Sequence, residues 1–219
     1  KENLQFDTFR KMAIEKEIQN NNYQAALTLS EDGEKSDCKY PGLVKQWKQY
    51  RLQVYEALED IDKQKEVLLE FVYDNEYESY SKLKDLYNQE EWADVVEEIF
   101  AVLEDKSGHL PHVYEYIAKA EGRADKILIY CEQSPATILE LYSYLLNEYA
   151  DRVCELFTQF MKSEAAHASN RKEYHSVCQK LKTYKKACGE NLFQDMVREL
   201  KQTYHRKRAF VNELEKVEG

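Results

Sequence analysis

The chain has 219 residues, enough for one large domain or one continuous helical array, and its formal net charge is −10. It contains only 6 Gly and 3 Pro, which is too few for the many tight turns of a β-sandwich or a β-barrel. Its excess of negative charge repels nucleic acid in bulk and disfavours general DNA binding. The composition therefore predicts an all-α protein.

A helix–turn–helix unit recurs from the beginning of the chain to its end. Polar or glycine-containing turns are predicted near residues 20–22, 60–62, 89–91, 121–122, 147–148 and 189–191. Their spacing of roughly 30 to 40 residues is typical of stacked helical hairpins. We therefore predict one helical-repeat domain over residues 1–219, an α-α superhelix of about six irregular antiparallel helix pairs, with a minor joint at 39–42.

Local signals support these helices. Apolar residues recur at helical spacing over 95–103, 138–160 and 177–204. Asn170 and Glu173 have the spacing of a capping box. The following positions are further predicted helix boundaries: an N-cap at Ser134 with Pro135 as the first helical residue, helix ends at Gly122 and Gly189, and a helix end at Ser107–Gly108.

The second helices of four units begin alike, at Tyr23–Leu27, Trp92–Val96, Ala124–Leu128 and Ala150–Cys154. A small alanine after each turn lets two helices approach closely. This junction resembles that of tetratricopeptide-like repeats, which implies a TPR-like arrangement. The family's glycine before the turn and proline after the second helix are mostly absent, so we expect an irregular array.

Charge is distributed unevenly. Residues 162–219 carry 13 Lys+Arg against 8 Asp+Glu, a net of +5, whereas residues 1–161 carry 18 against 33, a net of −15. The sequence therefore predicts an acidic body with a basic C-terminal unit over 164–219.

Part of this C-terminal unit resembles a known family. The patterns Asn170–Arg171–Tyr174–Val177 and Tyr204–Arg206–Arg208–Leu214 are similar to the helical C-terminal region that follows the zinc module of bacterial SWIM zinc-finger proteins. The resemblance implies a zinc module elsewhere in a longer parent protein. The module's own Cys-x-Cys and Cys-x-His pairs do not occur in this sequence, so zinc binding is not implied for it.

Residue patterns for chemistry are weak. The glycines are isolated, so no phosphate-binding loop is predicted. His109 and His112 lie on either side of Pro111 and are interpreted as part of a polar turn, since further zinc ligands are missing. Cys178 lies three residues after His175 but falls in an apolar stripe, which favours a buried thiol over a nucleophile. We therefore predict no catalytic residue, no metal and no cofactor, and a protein that is not an enzyme.

The tyrosines suggest a binding surface. The chain contains 17 of them, and tyrosine is enriched at protein interfaces. Packing between helices is expected to explain most of these rings, and the remainder to line a groove. The predicted protein-binding residues are Tyr73, Tyr77, Tyr80, Tyr87, Tyr114 and Tyr116.

The basic end gives a second candidate surface. Its cations could contact phosphates, or they could complement helix dipoles near helix C-termini. The predicted nucleic-acid-binding residues are Arg171, Lys172, Lys182, Lys186, Arg206, Lys207 and Arg208.

The expected setting is the cytoplasm. The five cysteines are scattered without a C-x-x-C pair, and no signal peptide or apolar run of membrane-spanning length occurs. Since the chain begins at Lys1, we expect a segment of a longer bacterial protein. The sequence favours a non-enzymatic scaffold for a protein or peptide partner. The alternative is an accessory nucleic-acid-binding module that acts with a SWIM-type zinc finger elsewhere in the parent chain.

Overall fold

The computed structural model of the chain describes residues 7–105 and 108–218. Within these ranges the regular elements are twelve α-helices and one short 3₁₀-helix, with no β-strand, so the all-α prediction is confirmed. The chain divides into two compact units. Unit 1 takes the described residues up to 105 with 111–113, and unit 2 takes 108–110 with 114–218. Whether residues 1–219 form a single domain depends on how these two units are joined, so the single domain stays a prediction.

Unit 1 is built from six helices. Their bounds are α1 Asp7–Gln19, α2 Tyr23–Ser36, α3 Pro41–Ala57, α4 Ile61–Tyr73, α5 Glu78–Asp85 and α6 Gln89–Asp105. Helices α1 to α5 pack in chain order, each against the next. The rings of Tyr80 and Trp92, with centroids 5.2 Å apart, bring α5 and α6 together.

A close approach of α2 and α3 organises the first three helices. The buried indole of Trp47 lies against the backbone of Gly33, where a side chain would not fit. Arg10 Nη1 donates to Ser36 Oγ at 2.7 Å and to Asp37 Oδ2 at 2.8 Å. Trp47 Nε1 donates to the same oxygen at 2.8 Å. Since Arg10 is near the start of α1 and Asp37 follows α2, the two helices run antiparallel.

Unit 2 contains the other helices, apart from the first two residues of α7. Their bounds are α7 His112–Ala120, α8 Ala124–Gln133, the 3₁₀-helix Pro135–Thr137, α9 Ile138–His167, α10 Arg171–Cys188, α11 Glu190–Thr203 and α12 Arg208–Glu218. Helix α10 packs against α9, α11 and α12 and is therefore central to this unit.

Side-chain contacts give the directions of these helices. Thr158 of α9 and Tyr184 of α10 share a hydrogen bond of 2.9 Å, and Glu164 pairs with Lys180, so α9 and α10 run antiparallel. On the other side of α10, Tyr174 stacks on Phe210 at a centroid distance of 4.8 Å. One residue further along α10 and three residues further along α12, His175 Nδ1 and Glu213 Oε2 are 3.3 Å apart. Helix α12 is therefore parallel to α10, and the two helices start at the same end of unit 2.

Helix boundaries agree with the local sequence signals in several places. Asn170 Oδ1 accepts from the backbone N–H of Glu173 at 3.1 Å, which confirms the predicted cap. The Glu173 carboxylate in turn accepts a hydrogen bond from the backbone N–H of Ser169 at 2.6 Å. Gly122 and Gly189 follow helices with φ values of 64° and 88°, which side chains disfavour.

Three predicted boundaries differ from the structure. The turn expected near 89–91 falls in the first turn of α6, which begins at Gln89. The turn expected at 147–148 is a kink at Tyr149, with φ −128° and ψ 32°, inside α9. Leu145 and Val153 are fully buried on either side, so the apolar stripe continues through the kink. Pro135 begins a 3₁₀-helix, and Ser134 makes no side-chain cap. Of the boundary predicted at Ser107–Gly108, Ser107 lies outside the described residues.

Candidate functional site

Tyrosines and carboxylates lie together on unit 1, around the end of α4 and the start of α6. Tyr73 ends α4 and Tyr87 follows α5, and both side chains are half-buried. Burial raises the pKa of Tyr73, and Glu98 and Tyr87 raise it further. The pKa of Tyr87 is raised first by burial and then by Glu98, Glu91 and Asp62. The two phenols therefore share one acidic neighbourhood.

Helix α6 supplies the carboxylates of this neighbourhood. Glu91, Asp94 and Glu98 are three and four residues apart, so they lie on one helical face, and all three are exposed. None of the three makes an ion pair within the described ranges, and α6 itself contains no Lys or Arg. We call Tyr73, Tyr87, Glu91, Asp94 and Glu98 the acidic tyrosine surface.

Packing fixes the ring of Tyr87 in this surface. Its centroid lies 5.7 Å from that of Trp92, which is buried at the base of α6. The Lys65 Nζ of α4 lies 3.8 Å from the ring centroid of Tyr87, within cation–π range. The ring is therefore held in place and accommodates an ammonium group above its face.

The other predicted tyrosines have different surroundings. Tyr77 is exposed at 52% of its surface, next to the acidic tyrosine surface in sequence. Tyr80 and Tyr114 are core residues, 2% and 0% exposed. Tyr114 stacks on Tyr130 at 6.2 Å in unit 2, where Tyr116 is half-buried. The structure thus brings Tyr73 and Tyr87 together, and it places the rings of Tyr80 and Tyr114 where a partner has no access.

Sequence reasoning missed a groove on unit 1. It has a volume of about 480 Å³ and lies between the start of α3 and the end of α4, with Phe71 at its base. Pro41 and Gly42 open α3 without bulky side chains, which leaves this space empty. Lys45 pairs with Glu76 and Lys48 with Asp74, both at 2.6 Å, so its cations are already neutralised. The dipeptide Pro41–Gly42 was the available sequence signal.

A charged cluster, which shares Lys48 with the lining of the groove, joins three helices. Arg51 of α3 contacts Glu34 of α2 at 3.1 Å and Glu70 of α4 at 3.2 Å. Burial raises the pKa of Glu34, although Arg51 opposes this change. Lys48 also reaches Glu70, at 3.2 Å. Because each carboxylate has a cationic partner, the cluster is suited to linking helices.

The predicted nucleic-acid-binding residues all lie on unit 2. Arg171, Lys172, Lys182 and Lys186 are exposed along α10, and Arg206 and Arg208 are exposed around the start of α12. Lys207 is half-buried because its Nζ donates to the carbonyl oxygen of Ala168 at 2.8 Å. It also lies 4.7 Å from the ring of Tyr204. Lys207 therefore ties the start of α12 to the end of α9.

The cysteines and histidines singled out in the sequence are structural or exposed. Burial raises the pKa of Cys131 and of Cys178 to about 11, so both thiols stay protonated at neutral pH. His175 contacts Glu213, and His109 Nε2 lies 3.1 Å from Ser134 Oγ. Across the described chain, no group of three or more His, Cys, Asp or Glu side chains is arranged to hold a metal ion.

Comparisons with known proteins give no relative for the chain. We found no significant match to it among protein-family models, among curated proteins or among solved structures. No helix in the described ranges is long and apolar enough to cross a membrane.

Proposed function

We propose that the chain is a non-enzymatic interaction module, and that the acidic tyrosine surface of unit 1 binds a basic peptide segment of a partner protein. The observation that carries this proposal is the placement of Tyr73 and Tyr87 beside the row of unpaired carboxylates Glu91, Asp94 and Glu98.

The chemistry of this surface suits a basic peptide. Half-buried tyrosines offer apolar ring surface and a polar hydroxyl at small cost in conformational entropy. Exposed carboxylates without partners attract Lys and Arg and reject acidic partners. Within the chain, Lys65 already makes a cation–π contact with the ring of Tyr87, and a cation of the partner would make the same kind of contact with this surface. The charge of the chain agrees, since residues 1–107 carry 14 Lys+Arg against 25 Asp+Glu.

The proposed architecture is a TPR-like α-α superhelix within a larger cytoplasmic bacterial protein. Two features support the repeat. Helices α1 to α5 pack in chain order, and α2 and α8 begin at Tyr23 and Ala124, the residues that the resemblance to tetratricopeptide-like junctions singled out. Ala26 and Ala124 are buried at these junctions, as close helix approach requires.

A peptide-binding measurement tests the function. The full chain is titrated against labelled peptides of equal length that are basic, neutral or acidic, and binding is followed by fluorescence anisotropy. We expect the basic peptides alone to bind, and to bind more weakly as salt concentration rises. Glu91→Gln combined with Glu98→Gln is expected to weaken binding about tenfold, since two rim charges are removed.

The matched control neutralises two carboxylates elsewhere on unit 1. Glu31 and Asp32 are exposed on α2, and Glu31→Gln with Asp32→Asn changes the net charge by the same amount. Equal loss of binding in both double variants would show that only net charge matters. That result, or equal binding of all three peptides, contradicts the proposal.

A further inference from the structure

The cations of residues 162–218 fall into two groups. Six of the 13 Lys and Arg side chains pair with a carboxylate, and Lys207 donates to a backbone carbonyl. The paired side chains are Lys162, Lys180, Lys185, Arg198, Lys201 and Lys216. The other six make no ion pair within the described part of the chain, and we call them the basic surface: Arg171, Lys172, Lys182, Lys186, Arg206 and Arg208.

The packing of unit 2 brings the basic surface together. Because α12 is parallel to α10 and Tyr174 stacks on Phe210, the starts of the two helices are adjacent. Arg171 and Lys172 therefore lie at the same end of the unit as Arg206 and Arg208. This juxtaposition joins residues more than thirty positions apart in the chain.

The remaining two cations, Lys182 and Lys186, extend this surface along α10. Lys172, Lys182 and Lys186 lie within an arc of about 80° on the exposed side of the helix, at 100° per residue. From Lys172 to Lys186 the helix axis rises about 21 Å. A row of this length fits an extended polyanion better than a single small anion.

Helix dipoles do not explain most of these positions. Arg171, Lys172 and Arg208 lie in the first turns of α10 and α12, where the helix dipole disfavours a cation. The first turn of α12 contains no acidic residue to offset this charge. Lys186, in the last turn of α10, follows the dipole, and Arg206 lies just after the C-terminal end of α11. Arg171, Lys172 and Arg208 are thus placed against the helix dipoles, and they make no ion pair within the described part of the chain.

We propose that the basic surface binds the phosphate backbone of double-stranded nucleic acid without reading its sequence. Arginine and lysine supply the donors that phosphates need, and backbone contacts of this kind carry non-specific binding. Single strands fit less well, because binding them uses exposed aromatic rings. Here Phe210 and Tyr174 are buried, and Tyr204 lies beneath Lys207.

A lipid surface also fits less well than a duplex. Peripheral membrane binding combines cations with apolar side chains that enter the bilayer. Between Arg171 and Arg208 the one large apolar side chain that is clearly exposed is Leu192, at the start of α11. It lies at the end of the unit away from Arg206 and Arg208, since α11 runs between them. This inference concerns unit 2 and goes beyond peptide binding by unit 1.

The test measures binding of the full chain to a labelled DNA duplex of mixed sequence by fluorescence anisotropy, over a series of salt concentrations. We expect salt-sensitive binding in which a second duplex of different sequence binds equally well. Arg206→Glu with Arg208→Glu is expected to reduce affinity at least tenfold at low salt. It should also reduce the slope of log K against log salt by about 2, since each phosphate contact contributes about 0.9.

The matched control reverses two paired cations. Lys162 and Arg198 are exposed and pair with Glu199 and Asp195, so Lys162→Glu with Arg198→Glu gives the same change in net charge. We expect this variant to keep most of the affinity and the full salt slope. Circular dichroism and thermal unfolding of both variants show whether each one folds.

Any of the following results would overturn the inference: no binding of duplex at low salt, equal losses in the two double variants, or stronger binding to vesicles rich in phosphatidylserine than to duplex. The last result would assign the surface to an anionic membrane. Tighter binding of single-stranded DNA than of duplex would also contradict it. The preference for a duplex rests on the burial of the aromatic rings on which single-stranded bases would stack. Peptide binding by unit 1 does not enter any of these outcomes.

Discussion

Gly33 and Trp47 are in direct contact across helices α2 and α3. A Cβ atom added to Gly33 would lie 2.9 Å from Cδ1 and 2.9 Å from Cγ of the indole ring. The Trp47 side chain is fully buried and hydrogen-bonded to Asp37, so the ring has no free direction in which to move. Glycine at position 33 is therefore what allows the two helices to pack around the tryptophan.

Gly33→Ala is expected to destabilise unit 1 by about 1–3 kcal/mol, the usual range for overpacking a core. Alanine's better helix propensity, worth about 1 kcal/mol, offsets only part of that cost. The measurement is urea unfolding followed by circular dichroism. The control is Gly42→Ala, because a Cβ atom at position 42 meets no atom within 4 Å. Equal unfolding midpoints for the two variants would contradict the contact.

Asp37→Asn is expected to lower the free energy of unfolding by about 2 kcal/mol, since it leaves the charge of Arg10 without a partner. The Arg10 side chain is only 7% exposed, and its Nε atom already lacks a hydrogen-bond partner. Glu66→Gln serves as a control on the exposed pair of Lys63 and Glu66, where we expect no measurable change. A loss for Asp37→Asn that is no larger than the loss for Glu66→Gln would show that the buried pair is not stabilising.

Unit 2 is expected to lose stability as pH rises above 9. Burial raises the pKa of Cys131 and of Cys178 from an ordinary value of 9.0 to about 11. The unfolded chain therefore releases these protons first, so stability is full below pH 9 and falls as pH rises towards 11. Urea midpoints at pH 8 and at pH 10.5 measure the loss.

Substitutions separate the buried thiols from other groups that titrate in this range, such as Tyr184, whose pKa burial also raises. Cys178→Ala is expected to reduce the fall in stability between the two pH values. Cys38→Ala, at an exposed thiol of unit 1, is expected to leave that fall unchanged. If Cys178→Ala unfolds with the same pH dependence as the unaltered chain, the thiol does not contribute.

Local patterns were sufficient for the helices and for several of their boundaries. The spacing of Asn170 and Glu173 predicted the cap that begins α10, because both partners of that hydrogen bond are three residues apart. The same approach failed at Tyr149, where α9 bends without ending. A polar pair such as Asn147–Glu148 resembles a turn, but burial of Leu145 and Val153 keeps the helix continuous.

The candidate sites could be predicted only in part. The sequence identified tyrosines as a class, but it could not distinguish Tyr87, half-buried beside Glu98, from Tyr80, which packs on Trp92 in the core. It also missed the groove above Phe71, because a cavity depends on which neighbouring side chains are absent. Both distinctions depend on contacts between residues far apart in the chain.

Periodicity, caps and charge are local properties, so the helical class, the bounds of several helices and the excess of cations after residue 162 followed from the order of the amino acids alone. Tertiary structure decided which of those cations have partners. Lys180 reaches Glu164 across α9 and α10, whereas Arg171 and Arg208, at the starts of α10 and α12, make no ion pair among the described residues. Whether a cation finds a carboxylate depends on how α9, α10 and α12 pack against one another, which no local pattern encodes.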